Sequence, residues 1–500
     1  MSDLFHQFQA EEAFSKKREL LPHQSKAIDM LRSSLGKGFK RPMLQAPTGS
    51  GKTFTAATII KSALGKGKTV AFCVPAISLI DQTVREFRRE GIHDIGVIQS
   101  GHQLTDYNQP VQICSVQTIA RRVPPACDLV LVDEAHMQFK AIYKWMARDP
   151  STPFLGLSAT PWTKGLGKQY DDLLIAATTR ELIDSGYLSD YTIYAPTSPD
   201  LSGVKIIAGD YQQDQLAAVM QDKKLVGDIV QSWLELGNDD PTLCFAVDRA
   251  HAKAIQMQFR AHGLEFGYCD ANTDVVERSL LFRQMARREI KGIVNVGTLT
   301  TGVDADVRTL ILARPTQSES LFVQIIGRAL RTADGKDRAI IIDHSDTTLR
   351  LGMPCRITHT KLSTGEKDEA KAKAGEMEPR KPKACSKCKA VKEAGVLACP
   401  KCGFEPEMQA RDVEAAEGSL SILDGSAKPK YTKQQKQAWW SALEAIRQSR
   451  GRSKGWASHT YREKMGVWPK GLDDVSGPIL PEVASFVKSK DIRFAKRRAV

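Results

Sequence analysis

The chain is 500 residues long, 42% hydrophobic and 26% charged, with ten cysteines and a formal net charge of +13. That length exceeds one ordinary core and predicts three or four units, and the balance of residues excludes a fibrous or wholly disordered chain. No apolar run approaches membrane-spanning length, and the charged start, with Glu11-Glu12 and Lys16-Lys17-Arg18, lacks the apolar stretch of a signal peptide, so a cytoplasmic location is expected.

From about residue 20 to 190, short apolar runs alternate with helical patterns, the rhythm of a mainly parallel α/β sheet. The runs are 43–46, 69–74, 111–116, 128–132 and 154–158. Between them, residues 77–89 carry Ile77, Leu79, Ile80, Val84 and Phe87 at helical spacing. An amphipathic stretch at 212–236 leads into a second set of runs at 242–247, 292–296, 309–313 and 338–343, which predicts a second α/β unit.

The first run passes into Ala46-Pro47-Thr48-Gly49-Ser50-Gly51-Lys52-Thr53. Small residues let backbone N–H groups close around phosphate oxygens, and the following helix presents its positive end to the same anion. Lys52 adds a point charge, and Thr53 offers a hydroxyl to a phosphate-bound Mg²⁺. The run at 128–132 ends in Asp133-Glu134-Ala135-His136, two carboxylates at the carboxyl end of a buried strand, the edge where open α/β sheets bind ligands. Asp133 is assigned to Mg²⁺ through its waters and Glu134 to the proton of the attacking water. A solvated acidic strand end is the plainer alternative.

Beyond about residue 356 the pattern changes. Residues 357–383 read as a charged linker. Residues 384–405 hold Cys385, Cys388, Cys399 and Cys402 as two Cys-x₂-Cys pairs, the spacing of a zinc ribbon, with a disulfide pair or an iron–sulfur cluster as alternatives. The other six cysteines are scattered singly, as expected of reduced thiols. After a second linker at 406–429, residues 430–500 carry 16 Lys and Arg against 6 Asp and Glu, so most of the net charge lies here and an anionic partner, most simply nucleic acid, is expected. Trp439, Trp440, Trp456 and Trp468 stand among these cations. Base stacking is the sharp reading, but Trp439 and Trp440 share helical spacing with Leu443 and Ile446, which favours core packing for them.

Taken together, these motifs resemble the superfamily-2 DEAD/H-box helicases and translocases, particularly the DNA-repair and type III restriction-like branch, over roughly residues 20–350. Leu21-Pro22-His23-Gln24 looks like the element in which a glutamine reads adenine, implying that role for Gln24. Ser158-Ala159-Thr160 resembles the motif that links nucleotide state to strand grip. Val74-Pro75 with Leu79-Ile80-Asp81-Gln82, and Ser115-Val116-Gln117-Thr118, are placed like backbone-contacting elements, implying nucleic-acid contacts for Pro75, Gln117 and Thr118. Val296-Gly297-Thr298 and Thr301-Gly302-Val303-Asp304 resemble the second-domain motif, implying Thr298 for nucleic acid and Gly302 and Asp304 for nucleotide.

Residues 324–331 fit the family pattern Gln-x-x-Gly-Arg-x-x-Arg. On one helix Gln324, Arg328 and Arg331 would share a face towards an interdomain cleft, with the arginine forks gripping phosphoryl oxygens. The resemblance implies two tandem RecA-like parallel-sheet domains, 1–190 and 191–356, that clasp ATP with Mg²⁺, and His136 as a coupling residue. It implies an ATP-dependent helicase acting on nucleic acid. Arg328-Ala329-Leu330-Arg331 favours DNA over RNA. A duplex translocase without strand separation and a non-enzymatic nucleic-acid binder are the other classes.

Overall fold

The computed structural model describes residues 19–99, 101–207, 209–300, 305–365, 381–406 and 431–498. The chain divides into two compact units, Met1–Met408 and Gln409–Val500. Among the described residues no helix is long and apolar enough to cross a membrane.

The first unit contains two parallel sheets. Strands β1 (Pro42–Gln45), β2 (Val70–Val74), β3 (Ile95–Ile98), β4 (Val111–Ser115), β5 (Leu129–Val132), β6 (Phe154–Ser158) and β7 (Asp172–Ile175) assemble in the order β3-β4-β2-β5-β6-β1-β7. Side chains of one strand serve opposite faces: Val70, Phe72 and Val74 join one apolar cluster, and Ala71 and Cys73 the other. Burial on both faces is why these strands read as continuous apolar runs in the sequence.

The second sheet uses β8 (Asp190–Tyr194) and later strands. The short hairpin β9 (Ile206–Ile207) and β10 (Asp210–Tyr211) intervenes, and then come β11 (Thr242–Phe245), β12 (Phe266–Cys269), β13 (Gly292–Asn295), β14 (Thr309–Leu312) and β15 (Arg338–Asp343). The order is β12-β13-β11-β14-β15-β8, all parallel. Ala177, Leu182, Ile183 and Leu188 already pack in this lobe's core, with Leu243 and Phe245. The stretch 212–236 is two helices, Gln213–Met220 and Lys223–Leu236, because the Asp222 carboxylate accepts from the backbone N–H of Lys224 and Leu225 and starts a new helix. Likewise 77–89 opens with a 3₁₀ turn, Ile77–Leu79, before the helix Ile80–Arg89.

Two features follow the second sheet. First, residues 357–365 return to the first lobe. The His359 ring lies 4.9 Å from Trp162, Leu362 packs against the first lobe's apolar cluster that includes Leu166, and the N–H of Gly167 donates to Ser363 O at 2.9 Å. A Cβ at Gly167 would lie 2.9 Å from Leu362 O, so glycine permits this approach. Second, the antiparallel pair β16 (Lys383–Ala384) and β17 (Val391–Lys392) carries the cysteine segment onto the edge strand β8. Tyr194 bridges Ala390, the Ala195 N–H donates to Lys389 O at 3.0 Å, and Cys385 and Cys399 pack in one cluster with Tyr194. An open sheet edge is thereby covered.

The described residues of the second unit form three helices, Lys433–Ser449, Lys454–Met465 and Pro481–Arg498. Thr432 and Gln435 form a reciprocal capping box that starts the first. The core gathers Trp439, Trp440, Leu443, Ile446, Tyr461, Val483 and Val487. Buried indole N–H groups are satisfied, Trp439 by Glu482 at 2.9 Å and Trp440 by Asp474 at 3.0 Å. Core packing therefore accounts for this pair, whereas Trp468 is 39% exposed beneath the Arg462 guanidinium.

Candidate nucleotide site between the lobes

The phosphate loop leaves β1 where the Ala46 N–H donates to Ser158 O at 2.8 Å. Gly49 and Gly51 adopt φ of 86° and 82°, a left-handed backbone that favours glycine. The helix Lys52–Leu64 follows, its first turn at the loop's end. Lys52 Nζ lies 2.7 Å from Asp133 Oδ1 and 2.6 Å from Glu134 Oε1. Glu134 has φ 47°, uncommon for a residue with a side chain. That backbone, just past β5, directs its buried carboxylate at the loop.

These groups set one another's charge. Burial alone would push Lys52 down, but the two carboxylates more than offset it and hold the ammonium above the usual lysine range. Burial also opposes ionisation of Glu134. The charge of Lys52 and a hydrogen bond from His136 outweigh it and hold the carboxyl below the usual range. For Asp133 burial wins, aided by repulsion from Glu134 against the attraction of Lys52, and its carboxyl is raised.

A cavity of about 470 Å³ opens at this point, lined by Ala46, Pro47, Thr48, Gly49, Gly51, Lys52, Thr53, Asp133 and Glu134 of the first lobe and by Arg328, Arg331 and Thr332 of the second. The arginines do not share the helix of Gln324, as the spacing suggests. The helix Glu319–Ile326 ends at Gly327, and Arg328 and Arg331 follow in a turn. There the chain tightens to three-residue hydrogen bonds, from the Arg328 N–H to Ile325 O at 3.0 Å and from the Ala329 N–H to Ile326 O at 2.9 Å, while a Cβ at Gly327 would lie 2.6 Å from the Thr48 side chain.

A hydrogen-bond chain crosses the cleft beside the cavity. Gln324 Nε2 donates to Thr160 Oγ1 at 2.9 Å and lies 3.1 Å from His136 Nε2. His136 Nδ1 stands 2.9 Å from Ser158 Oγ and 3.3 Å from Glu134 Oε2. Thr160 Oγ1 also meets Ser320 Oγ at 2.5 Å. His136 therefore connects the carboxylate beside the nucleotide loop to the opposite lobe.

Other sequence-derived residues fall near the site without lining the cavity. Gln24 donates to Ser50 O at 2.9 Å and accepts from the Leu21 N–H, so it braces the loop from outside. Ser50 is buried. Pro75 follows β2, Gln117 and Thr118 follow β4, and Thr298 follows β13, so all four stand at carboxyl ends of parallel strands. Gly302 and Asp304 lie outside the described residues. Ser320, Leu188, Glu86 and Glu90 were not legible. Glu86 and Glu90 line the cavity, while Leu188 touches the loop at Gly49. None belongs to a recognisable spacing.

The four sulfurs of Cys385, Cys388, Cys399 and Cys402 lie within 4.8 Å of one another. Cys385–Cys402 and Cys388–Cys399 separations are 3.8 and 3.7 Å. Ligands about 2.3 Å from a tetrahedral zinc are separated by roughly 3.8 Å, so the donor set fits that ion. Hydrogen bonding from the Cys388 backbone heads the causes that lower the Cys385 thiol to about 6. All ten cysteines of the chain are free thiols.

Two parallel-sheet lobes closing on one phosphate loop define a two-lobed nucleotide hydrolase. Similarity to known proteins narrows the class. Residues 17–163 match the family described as type III restriction enzyme, res subunit, and residues 204–333 match the helicase conserved C-terminal domain. A 51.5 kDa protein of Lactococcus phage (isolate 7-9) is 30% identical over 373 residues, covering 73% of this chain and 78% of the relative. A Saccharomyces cerevisiae protein assigned as the ATP-dependent helicase IRC3 is 29% identical over 353 residues, covering 65% of this chain and 51% of that protein. The chain thus spans about half the length of the yeast relative. The solved structure of the ATP-dependent type ISP restriction-modification enzyme LlaBIII bound to DNA shares the fold with a TM-score of 0.53 and 18% identity, covering 67% of this chain and 28% of that one. The chain belongs to the superfamily-2 helicases, in their restriction-like branch, and is an ATP-hydrolysing enzyme.

Proposed function

We propose that the chain couples hydrolysis of Mg²⁺-bound ATP in the interlobe cavity to movement along DNA, separating its strands. The observation that carries this reading is that Lys52, Asp133 and Glu134 of one lobe and Arg328 and Arg331 of the other line a single cavity. Thr53 and Asp133 are the residues suited to hold Mg²⁺, which when bound would neutralise phosphate charge. Lys52 would exchange its carboxylate partners for phosphate oxygens. Glu134, still hydrogen-bonded through His136, would then orient the attacking water and take its proton. The two arginines would stabilise charge on the transferred phosphoryl group.

Movement follows if the closed arrangement binds ATP better than the open one, since only a differential affinity can drive closure. Pro75, Gln117, Thr118 and Thr298 would hold the strand at the carboxyl edges of the two sheets. DNA is favoured by the Arg328–Arg331 sequence and by the DNA-bound relative of this fold. The kinship with restriction enzymes supports a second reading, a translocase that moves on duplex without opening it. Zinc in the four-cysteine cluster, a nucleic-acid contact through the basic C-terminal unit and a cytoplasmic location complete the proposal.

The test is ATP turnover with single-stranded, duplex or forked DNA or RNA, beside strand displacement. Stimulation by DNA with displacement of a forked strand supports the helicase, and stimulation without displacement supports the translocase. Lys52→Ala should abolish turnover, whereas Glu134→Gln should retain ATP and lose about 10²-fold or more in rate. Normal turnover in either variant contradicts the site.

A further inference from the structure

Arg328 and Arg331 sit on a turn, beyond the last hydrogen-bonded helical residue. Carbonyls past a helix end lack intrahelical partners and must find donors elsewhere. Here the donor comes from the next loop. Gly335, with φ 67°, reverses the chain, and the Lys336 side chain folds back beneath the arginine turn. Its Nζ donates to Ala329 O at 2.6 Å, Arg331 O at 2.7 Å and Val307 O at 2.8 Å. An ammonium has three N–H bonds, and all three are used. Arg308 secures the same loop from the other side, donating to Asp334 O at 2.7 Å and Gly335 O at 3.0 Å while held by Asp306 at 2.8 Å.

We propose that Lys336 is a positioning residue for phosphoryl transfer: by fixing the carbonyls on both sides of Leu330, its ammonium holds the turn that aims Arg331 and Arg328 into the cavity. This rests on, and deepens, the reading of that cavity as an ATP site. Lys336 is not itself among the residues that line the cavity, so it acts through the arginines.

The same geometry makes the arrangement sensitive to pH. Burial pushes Lys336 down to about 8. Asp306 opposes this, Arg308 and Arg331 add to it, and Asp240 opposes it. A neutral amine keeps two N–H bonds, so one of the three carbonyls loses its donor as the pH passes that value. The transition-state contact should loosen while ground-state binding through Lys52 persists. Unfolded lysine titrates near about 10.4, so between that value and the folded one the unfolded chain binds more protons. Lys336 therefore makes the fold more stable as pH rises through this window, and a loss of rate there is not unfolding.

The experiment is DNA-stimulated ATP turnover by the full chain from about pH 6.5 to 9.5, with kcat and KM for ATP separated. The expected result is a wild-type kcat that falls several-fold around pH 8 at nearly constant KM. In Lys336→Arg, which keeps its charge, the alkaline fall should vanish. Lys336→Met should have kcat lowered about tenfold at every pH, as expected for lost donors to buried carbonyls, with KM little changed. A wild-type kcat flat to the alkaline end, or a fall that persists in Lys336→Arg, overturns the inference while leaving the ATP site standing. A chain without ATP turnover at any pH overturns both.

Discussion

Gln324, in the second lobe, donates a hydrogen bond to Thr160, in the first, at 2.9 Å. The same amide lies 3.1 Å from His136, whose other nitrogen faces Ser158 and Glu134. The relationship makes the Glu134 carboxylate and the lobe-to-lobe contact parts of one network, so a change at either end is felt at the other.

Thr160→Val preserves shape while removing the hydroxyl that meets both Gln324 and Ser320. A buried hydrogen bond contributes about 1 kcal/mol, and leaving the Gln324 amide unsatisfied costs more. The expected outcome is ATP turnover within a few-fold of wild type and DNA movement reduced about tenfold, read as ATP consumed per base pair traversed. An unchanged ratio would remove these residues from coupling.

Gly327 lets the lobes close. Its replacement by alanine would bring a Cβ to 2.6 Å from Thr48, which real contacts do not allow. Gly327→Ala should hold the cleft apart and misplace Arg328 and Arg331, lowering kcat by about 10² or more, since removal of such arginines costs up to about 10³ to 10⁵. Circular dichroism should show an intact fold. Full turnover in a folded Gly327→Ala would mean the closed contact is not part of catalysis.

The cysteine cluster lies against Tyr194 on the edge strand β8. Zinc binding to such a cluster contributes directly to folding. Stripping the metal with a chelator, or Cys399→Ser, should release one zinc per chain by elemental analysis and lower the melting temperature of the second lobe. Loss of metal with an identical melting profile would show that the ribbon and the sheet are energetically separate.

His251 is fully buried, and its Nδ1 accepts from the Val247 N–H at 3.4 Å. Burial pushes its imidazole down to about 4, against an opposing pull from Asp248. Unfolded histidine titrates near about 6.5, so below that value the unfolded chain takes up a proton the fold refuses. The stabilisation is complete above about pH 6.5 and is lost as the pH falls towards the folded value, by up to about 3 kcal/mol. Urea denaturation at pH 7.5 and 5 should show the loss in wild type and a smaller one in His251→Leu. Equal losses would place the acid sensitivity elsewhere.

The sequence made the nucleotide loop and the acidic strand end legible because their chemistry depends on contiguous residues in fixed order. It was less informative where packing decides. The strands β3 and β12 contain Gly96 and Gly267, which weaken a strand pattern. In the fold, a Cβ at Gly96 would lie 2.0 Å from Asp106 O, and one at Gly267 2.7 Å from Leu281. The strand β8 mixes Asp190, Tyr191 and Thr192 with Ile193 because its edge is covered by the cysteine segment rather than by another strand of the sheet. The arginine turn was misread as helix because three- and four-residue spacing is also compatible with a helix end, where three-residue hydrogen bonds replace four-residue ones.

Residues 357–365 give the lobes a second junction besides the covalent path between β7 and β8. A body pinned at one point can swing in any direction, whereas one pinned at two can only pivot about the line between them. While Trp162, Gly167 and the returning segment stay engaged, this second tie narrows the ways in which the two lobes can part.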